Sequence, residues 1–377
     1  HLPVKSGGMK RISIYDSTLR DGAQAQGISY SVEDKVKIVE RLDALGVHYI
    51  EAGNPGSNPK DLEFFERVRG MKLKNAKLIA FGATRKIGIK AEDDGNVRSI
   101  LAAGTDAVAI FGKSWDYQVT EILRTQLDEN LRMIGDTVRH LKQQGKEVVY
   151  DAEHFFDGYK ANPDYALATL QAAADAGADC LCLCDTNGGT FPDVIFDITK
   201  KVAAQFRTPI GIHCHNDCEM AVANSVMAVQ AGATQVQGTI NGIGERCGNA
   251  NLCAIIPDLQ LKLGYECIPP QNMATLTTVA RAVSDIANMP HNEKAAYVGA
   301  DAFAHKGGMH VDAVVKNPVS YEHIDPDLVG NSRRTLMSEV AGRSTLLARI
   351  RAVDPSIGKD SPETKKIIDR LKELEHG

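Results

Sequence analysis

Asp16-Ser17-Thr18-Leu19-Arg20-Asp21-Gly22 follows a short apolar run at 11–15, and its composition decides between two architectures. Similar runs recur at 47–51, 77–81, 106–111, 147–151, 179–184, 209–213 and 234–240. Between them lie longer stretches of helical spacing, such as 31–45 after its Ser/Asp-rich start. Strands alternating with helices build a parallel sheet, either open and doubly wound or closed on itself. An open dinucleotide-binding sheet carries a glycine-rich fingerprint directly after its first strand. The 16–22 stretch holds one glycine, at its end, and is not that fingerprint. Eight strand–helix units in about 260 residues match an α/β fold of the (β/α)8 TIM-barrel type in number and length.

The punctuation agrees. Ala44-Leu45-Gly46-Val47, Ala103-Gly104-Thr105-Asp106, Ala176-Gly177-Ala178-Asp179 and Ala231-Gly232-Ala233-Thr234 each stand just before a strand run, with glycine where a helix ends. The catalytic barrel is therefore expected over 9–268. Past about residue 265 the rhythm breaks, and 269–377, with Pro290, Pro318, Pro326 and Pro355, reads as a smaller, mainly helical subdomain. Its charged end, 363–376, reads as an exposed helix. His1 to Gly8 read as an expression scar ahead of Met9 and carry no weight in the fold reading.

A net charge of −5 without a basic stripe argues against nucleic acid and anionic membranes as partners. No apolar run approaches the roughly 20 residues that span a bilayer, and no secretory leader precedes the chain, so a cytoplasmic location is expected. Eight cysteines in such a chain read as reduced thiols. Cys180, Cys182 and Cys184 alternate with leucines, which suits small buried side chains better than a zinc cluster.

In a TIM barrel, chemistry sits at the C-terminal strand ends. The polar residues collect there: Arg20 and Asp21 after the first run, Glu51 ending the second, Glu153 after the fifth, Asp185 and Thr186 after the sixth. His213 and His215 close the seventh, and Asn241, Glu245, Arg246 and Asn249 follow the eighth. Side chains two apart on a strand share a face, so His213 and His215 reach one metal ion while Cys214 points away. First and eighth strands flank the seventh in a closed barrel, which lets Asp21 and Asn249 add oxygen ligands. Two imidazoles, a carboxylate and an amide suit Mn²⁺, Mg²⁺, Co²⁺ or Zn²⁺. Cys218 reads as packing at the start of the next helix. Gly242 and Gly244, in a glycine-rich loop, offer backbone N–H groups to a cofactor's phosphate or carboxylate, or serve only to permit positive φ. Glu245 and Arg246 read equally as a local ion pair.

Asp16-Ser-Thr-Leu-Arg-Asp-Gly22, His213-x-His215-Asn-Asp217 and Gly242-x-Gly244-Glu-Arg-x-Gly-Asn249 resemble the acyl-CoA condensing family of isopropylmalate, homocitrate and citramalate synthases, with hydroxymethylglutaryl-CoA lyase as a cousin. The resemblance covers nearly everything from Met9 onward. Phe81-Gly-Ala-Thr-Arg85, Glu153-His-Phe-Phe-Asp-Gly158, Val236-Gln-Gly-Thr-Ile-Asn-Gly242, Ala304-His-Lys-Gly-Gly-Met-His310 and Tyr321-Glu-His-Ile324 look most like the bacterial citramalate synthases.

That resemblance implies Claisen-type condensation of acetyl-CoA with pyruvate to (R)-citramalate, on a threonine-independent route to isoleucine. It implies Asp21, His213, His215 and Asn249 as metal ligands, Arg20 and Glu153 as catalytic residues, and Thr186 as an oxo-acid contact. His310 and Tyr321, on the C-terminal subdomain, would enter the partner's active site in a homodimer, with His310 as the candidate base and His305 its alternative. Two departures stand out. Asp151 replaces a tyrosine of some citramalate synthases, and the regulatory domain of longer relatives does not follow Gly377, so feedback inhibition is expected to be absent. The rivals are an isopropylmalate or homocitrate synthase, a hydroxyacyl-CoA lyase, and a non-catalytic barrel sensor. A lyase would carry a catalytic cysteine loop where Glu245-Arg246-Cys247 stands.

Overall fold

Each of the eight runs forms a strand: β1 (Ser13–Asp16), β2 (Tyr49–Gly53), β3 (Lys77–Ala83), β4 (Ala107–Lys113), β5 (Glu147–Glu153), β6 (Cys180–Asp185), β7 (Ile210–Cys214) and β8 (Gln235–Gly238). Neighbours pair in parallel, and β8 returns to β1 with Val236 opposite Ile14, closing the barrel. The structure, a computed structural model, describes residues 10–306, 317, 319, 321–336, 350, 351, 362, 365–367, 369 and 370.

Local chemistry sets the helices between the strands. In α1 (Val32–Leu45) the Ser31 hydroxyl accepts from the Asp34 N–H while the Asp34 carboxylate accepts from the Ser31 N–H, a reciprocal N-terminal cap. Ile38, Val39, Leu42 and Leu45 then bury one face. The helix stops at Gly46, whose φ of 102° belongs to the left-handed region; its counterparts Gly104, Gly177 and Gly232 also have positive φ.

The barrel interior alternates large and small side chains, with Tyr15, Phe81 and Val149 against Ala107, Ala109 and the thiols of Cys180, Cys182 and Cys184. The three cysteines are buried and unbridged, as their alternation with leucine implies. Strands β2 to β5 run one or two residues beyond the apolar runs, because their last inward positions carry polar groups facing the barrel mouth. β8 ends earlier, since Asn241 turns the chain at a φ of 62°.

The chain divides into a unit of residues 1–272 with 279–290 and a second of 273–278 with 291–377. The second is not purely helical. β9 (Ala304–Lys306) pairs in parallel with β10 (Arg334–Leu336), and strands of three residues leave no periodicity to read in a sequence. Within that unit Glu322 accepts from Arg333 Nη2 at 2.6 Å and pairs with His305 Nε2 at 2.9 Å. Residues 365–367, 369 and 370 are helical and exposed; the remainder of the charged end lies outside the described residues. Among the described residues no helix is long and apolar enough to cross a membrane.

Candidate active site

At the mouth of the barrel β1 and β2 hold a cation in place. Glu51 is wholly buried and accepts from the Tyr15 hydroxyl, from Ser17 Oγ at 2.7 Å and from Arg20 Nε at 2.6 Å. The Arg20 guanidinium carbon lies 3.7 Å from the centre of the Phe81 ring. Burial works against that charge, but Glu51 and Asp21 hold the guanidinium protonated above its usual range. Thr18 N–H and Oγ1 both donate to Asp16, at 2.8 and 2.9 Å, and Thr18 Oγ1 accepts from Ile240 N–H across the β1–β8 seam. Burial pushes the Asp16 carboxyl up to about 7. A cavity of about 450 Å³ opens beside Arg20, lined also by Gln24, Tyr30, Lys35 and Asn54.

The four expected ligands meet. His213 Nε2 lies 3.0 Å from Asp21 Oδ2 and 3.2 Å from His215 Nε2, while His215 Nε2 lies 3.4 Å from the same carboxylate oxygen. Asn249 Nδ2 donates to Asp21 Oδ2 at 2.6 Å. Cys214 is buried on the other face of β7. Asn249 Oδ1 is buried without a hydrogen-bond partner among the described residues. An orphaned amide oxygen on the residue that touches Asp21 costs free energy unless a donor or cation meets it, and a half-turn of the amide sets it beside the carboxylate and imidazoles. This mixed nitrogen and oxygen set fits a divalent cation. Burial opposes the Asp21 anion, yet Arg20 and the imidazoles hold its carboxyl well below the usual range. Burial likewise disfavours the His213 cation, but Asp21 carries that imidazole up to about 10.

The loop after β8 is folded onto the end of β7. Asn216 N–H donates to Gly248 O at 2.9 Å, Asn249 N–H to Gly242 O at 3.0 Å and Ala250 N–H to Cys214 O at 3.0 Å. A Cβ on Gly244 would lie 1.9 Å from Asn249 Oδ1, so only glycine leaves the ligand in place. Gly242 has a φ of +67°, and its N–H already donates to Thr239 O at 3.3 Å. The role open to these glycines is thus clearance and turning; Gly242 has no spare N–H for an anion. Arg246 pairs with Asp217 at 2.8 Å and Glu245 at 3.1 Å and donates to Thr186 O at 3.1 Å, which makes the ion-pair reading of this loop correct. Cys218 is exposed, against the expectation of packing: it lies in a turn closed by Glu219 N–H to Asn216 O, ahead of the helix at Ala221–Gln230.

With this geometry in view, comparison with known proteins is specific. Residues 11–283 match the HMGL-like family, and 297–376 match the homocitrate synthase post-HMGL domain-like family. The (R)-citramalate synthase of Aquifex aeolicus is 57% identical over 97% of this chain and 70% of its own length. That of Geobacter sulfurreducens is 52% identical over 98% of this chain and 70% of its own. This chain belongs to the HMGL-like family, in its (R)-citramalate synthase branch. The fold has a wider circle: the Bacillus subtilis HMG-CoA lyase structure superposes with a TM-score of 0.63 at 19% identity, over 75% of this chain and 96% of that one.

The remaining candidates of this synthase-branch barrel lie along the β4–β6 side. Glu153 ends β5 and pairs with Lys113 Nζ, 3.1 Å away at the end of β4. Thr186 Oγ1 accepts from the His154 N–H at 2.8 Å, which leaves its own proton to donate. Tyr321 is exposed in the second unit, and His310 lies outside the described residues. Sequence reasoning passed over Lys113, and gave Glu51 no task. It also missed Gln237, whose Nε2 donates to the buried Asp151 Oδ1 at 3.0 Å while its Oε1 lies 2.8 Å from His213 Nδ1. The available signal was Gln235 and Gln237 on one face of an otherwise apolar strand run.

Proposed function

We propose that the chain condenses acetyl-CoA with pyruvate and water to give (R)-citramalate and CoA, as an acyltransferase that turns the acyl group into an alkyl group on transfer. The observation that carries this reading is the meeting of Asp21, His213, His215 and Asn249 beside Arg20, whose Nη1 lies 3.4 Å from Asp21 Oδ1. A divalent cation held by those four side chains supplies Lewis acidity toward the keto group of the oxo acid.

The protein's own groups do the rest. Arg20, permanently charged and braced by Glu51, stabilises the alkoxide as the acetyl carbon adds to the ketone. Thr186 donates its hydroxyl proton to the oxo acid's carboxylate. Glu153, its charge balanced by Lys113, orients the acceptor side of the pocket. The cavity beside Arg20 is the space we assign to the thioester end of acetyl-CoA. Proton removal from the acetyl methyl group is assigned to His310 with Tyr321, supplied by a second copy in a homodimer. Mixing Arg20→Ala with His310→Ala protein tests that arrangement: recovered activity supports shared sites, and none opposes them.

The decisive assay is CoA thiol release with pyruvate, 2-oxoisovalerate and 2-oxoglutarate, each with added Mn²⁺ or Co²⁺. Pyruvate is expected to give the highest kcat/KM. Faster turnover of 2-oxoisovalerate would reassign the chain as an isopropylmalate synthase, and no thiol release with any acid would end the synthase reading.

A further inference from the structure

His213 has two ring nitrogens, and the cation site uses only Nε2, the one beside Asp21 and His215. A ligating imidazole must offer a lone pair there and so carry its remaining proton on Nδ1. What enforces that choice is visible in the register of the sheet. His213 and Gln237 are direct partners across β7 and β8, and both are buried. Gln237 Oε1 stands 2.8 Å from His213 Nδ1. On its other side Gln237 Nε2 lies 3.0 Å from Asp151 Oδ1 and 3.2 Å from Gln235 Oε1.

The amide has only two settings. With Nε2 toward Asp151 and Gln235, both of its protons find oxygen acceptors and Oε1 is left to accept from His213 Nδ1–H. Turned over, Oε1 would face two oxygens, and the NH₂ would face Nδ1 and require a lone pair there. That setting moves the imidazole proton to Nε2 and aims it at the cation. Buried polar groups left unpaired or opposed in this way cost free energy that no nearby water recovers.

We propose that Gln237 is a positioning residue that fixes the Nδ1–H tautomer of His213, and that Asp151 is the group that turns the Gln237 amide to do so. Asp151 thereby gains a task where other citramalate synthases carry a tyrosine: it belongs to the cation site through Gln237. The inference rests on the cation-site reading above and adds two residues to it.

The test is Co²⁺ binding to protein freed of metal with a chelator, followed by the cobalt visible absorption and by calorimetry, with kcat and KM for pyruvate measured at saturating Co²⁺. Gln237→Met removes the acceptor at similar volume and is expected to raise the Co²⁺ dissociation constant by ~10–100-fold, the usual loss when a partner of a ligating histidine is removed. The cobalt spectrum should change with it, whereas a loss of packing alone would leave both in place.

Where Gln237→Met does not fold, Gln237→Met with Asp151→Leu removes both buried polar partners together and is expected to show the same loss. Gln237→Glu with Asp151→Asn writes the same hydrogen bond in the opposite direction and keeps an acceptor for Nδ1–H, so Co²⁺ affinity should return to within a few-fold of the parent. Wild-type affinity and spectrum in Gln237→Met overturn the proposal, as does a folded rescue variant that binds no better than Gln237→Met. A parent protein that itself takes up no Co²⁺ sinks the cation site instead, so the two failures are distinguishable.

Discussion

Arg20 Nε donates to Glu51 Oε1 across 2.6 Å, and the carboxylate that receives it has no exposure to solvent. Glu51 also accepts from Tyr15 and Ser17, so it cannot swing away from the guanidinium without leaving buried donors unpaired. Arg20→Ala is expected to lower kcat by ~10²–10³, the usual loss of one strong electrostatic donor. Arg20→Lys should recover little, because a single ammonium cannot reproduce the planar fork between Glu51 and Phe81. The check is steady-state kinetics beside Co²⁺ titration; wild-type kcat in metal-loaded Arg20→Ala would remove Arg20 from the mechanism.

Gly244→Ala puts a methyl group where Asn249 Oδ1 now lies, at 1.9 Å. Asn249 must then retreat from Asp21, and Co²⁺ affinity should fall by at least about ten-fold, the lower bound for disturbing the surroundings of a ligand. Gly95→Ala is the control, since nothing lies within 4 Å of a Cβ at that position. Calorimetric titration of both variants reads the difference, and equal affinities would contradict the tight loop geometry.

Lys35 is buried with its Nζ 2.7 Å from Asp61 Oδ1 and 2.7 Å from Ala52 O. Removing one partner strands the other charge, so Asp61→Leu should cost ~3–5 kcal/mol in urea unfolding. Lys35→Met together with Asp61→Leu should recover most of that, because an apolar pair carries no desolvation penalty. A double variant as unstable as the single would show that packing, not charge, sets the effect.

Asp16 gives the stability a pH signature. Burial raises its carboxyl from 3.8 to about 7 in the folded chain, with Glu51 adding to the rise. Between those two values the folded state binds the proton more tightly than the unfolded state. This contribution is therefore most favourable below about pH 4, falls as pH rises to about 7 and stays lost above it, by up to ~1.4 kcal/mol per pH unit. Asp16→Asn has no such slope, so its stability relative to the parent should climb through that window in urea titrations at pH 5, 6, 7 and 8. A flat difference would mean that Asp16 ionises like an exposed carboxyl.

Much of this was legible before any coordinates. Four glycines before four strands marked the repeat, and His213-x-His215 at a strand end marked the cation site, because both signals are local. The supporting residues were hidden for a shared reason. Lys113 is the direct β4–β5 partner of Glu153, and Gln237 the direct β7–β8 partner of His213. Register between strands distant in sequence is not written in either strand alone. Cys218 was misplaced by a related weakness: a tight turn ahead of α8 (Ala221–Gln230) shifts a side chain from core to solvent without altering composition. The parallel pair in the second unit was too short to announce itself.

Asp21 and Asn249 touch although 228 positions separate them. Bringing the ends of so long a segment together costs on the order of 5 kcal/mol in chain entropy, a debt met only when the last stave seals against the first. A growing polypeptide still on the ribosome therefore owns Asp21 early and its amide counterpart hundreds of residues later. Full-strength metal capture becomes a certificate of completed folding: a half-finished or nicked barrel offers two imidazoles at most, and only the sealed one keeps its ion.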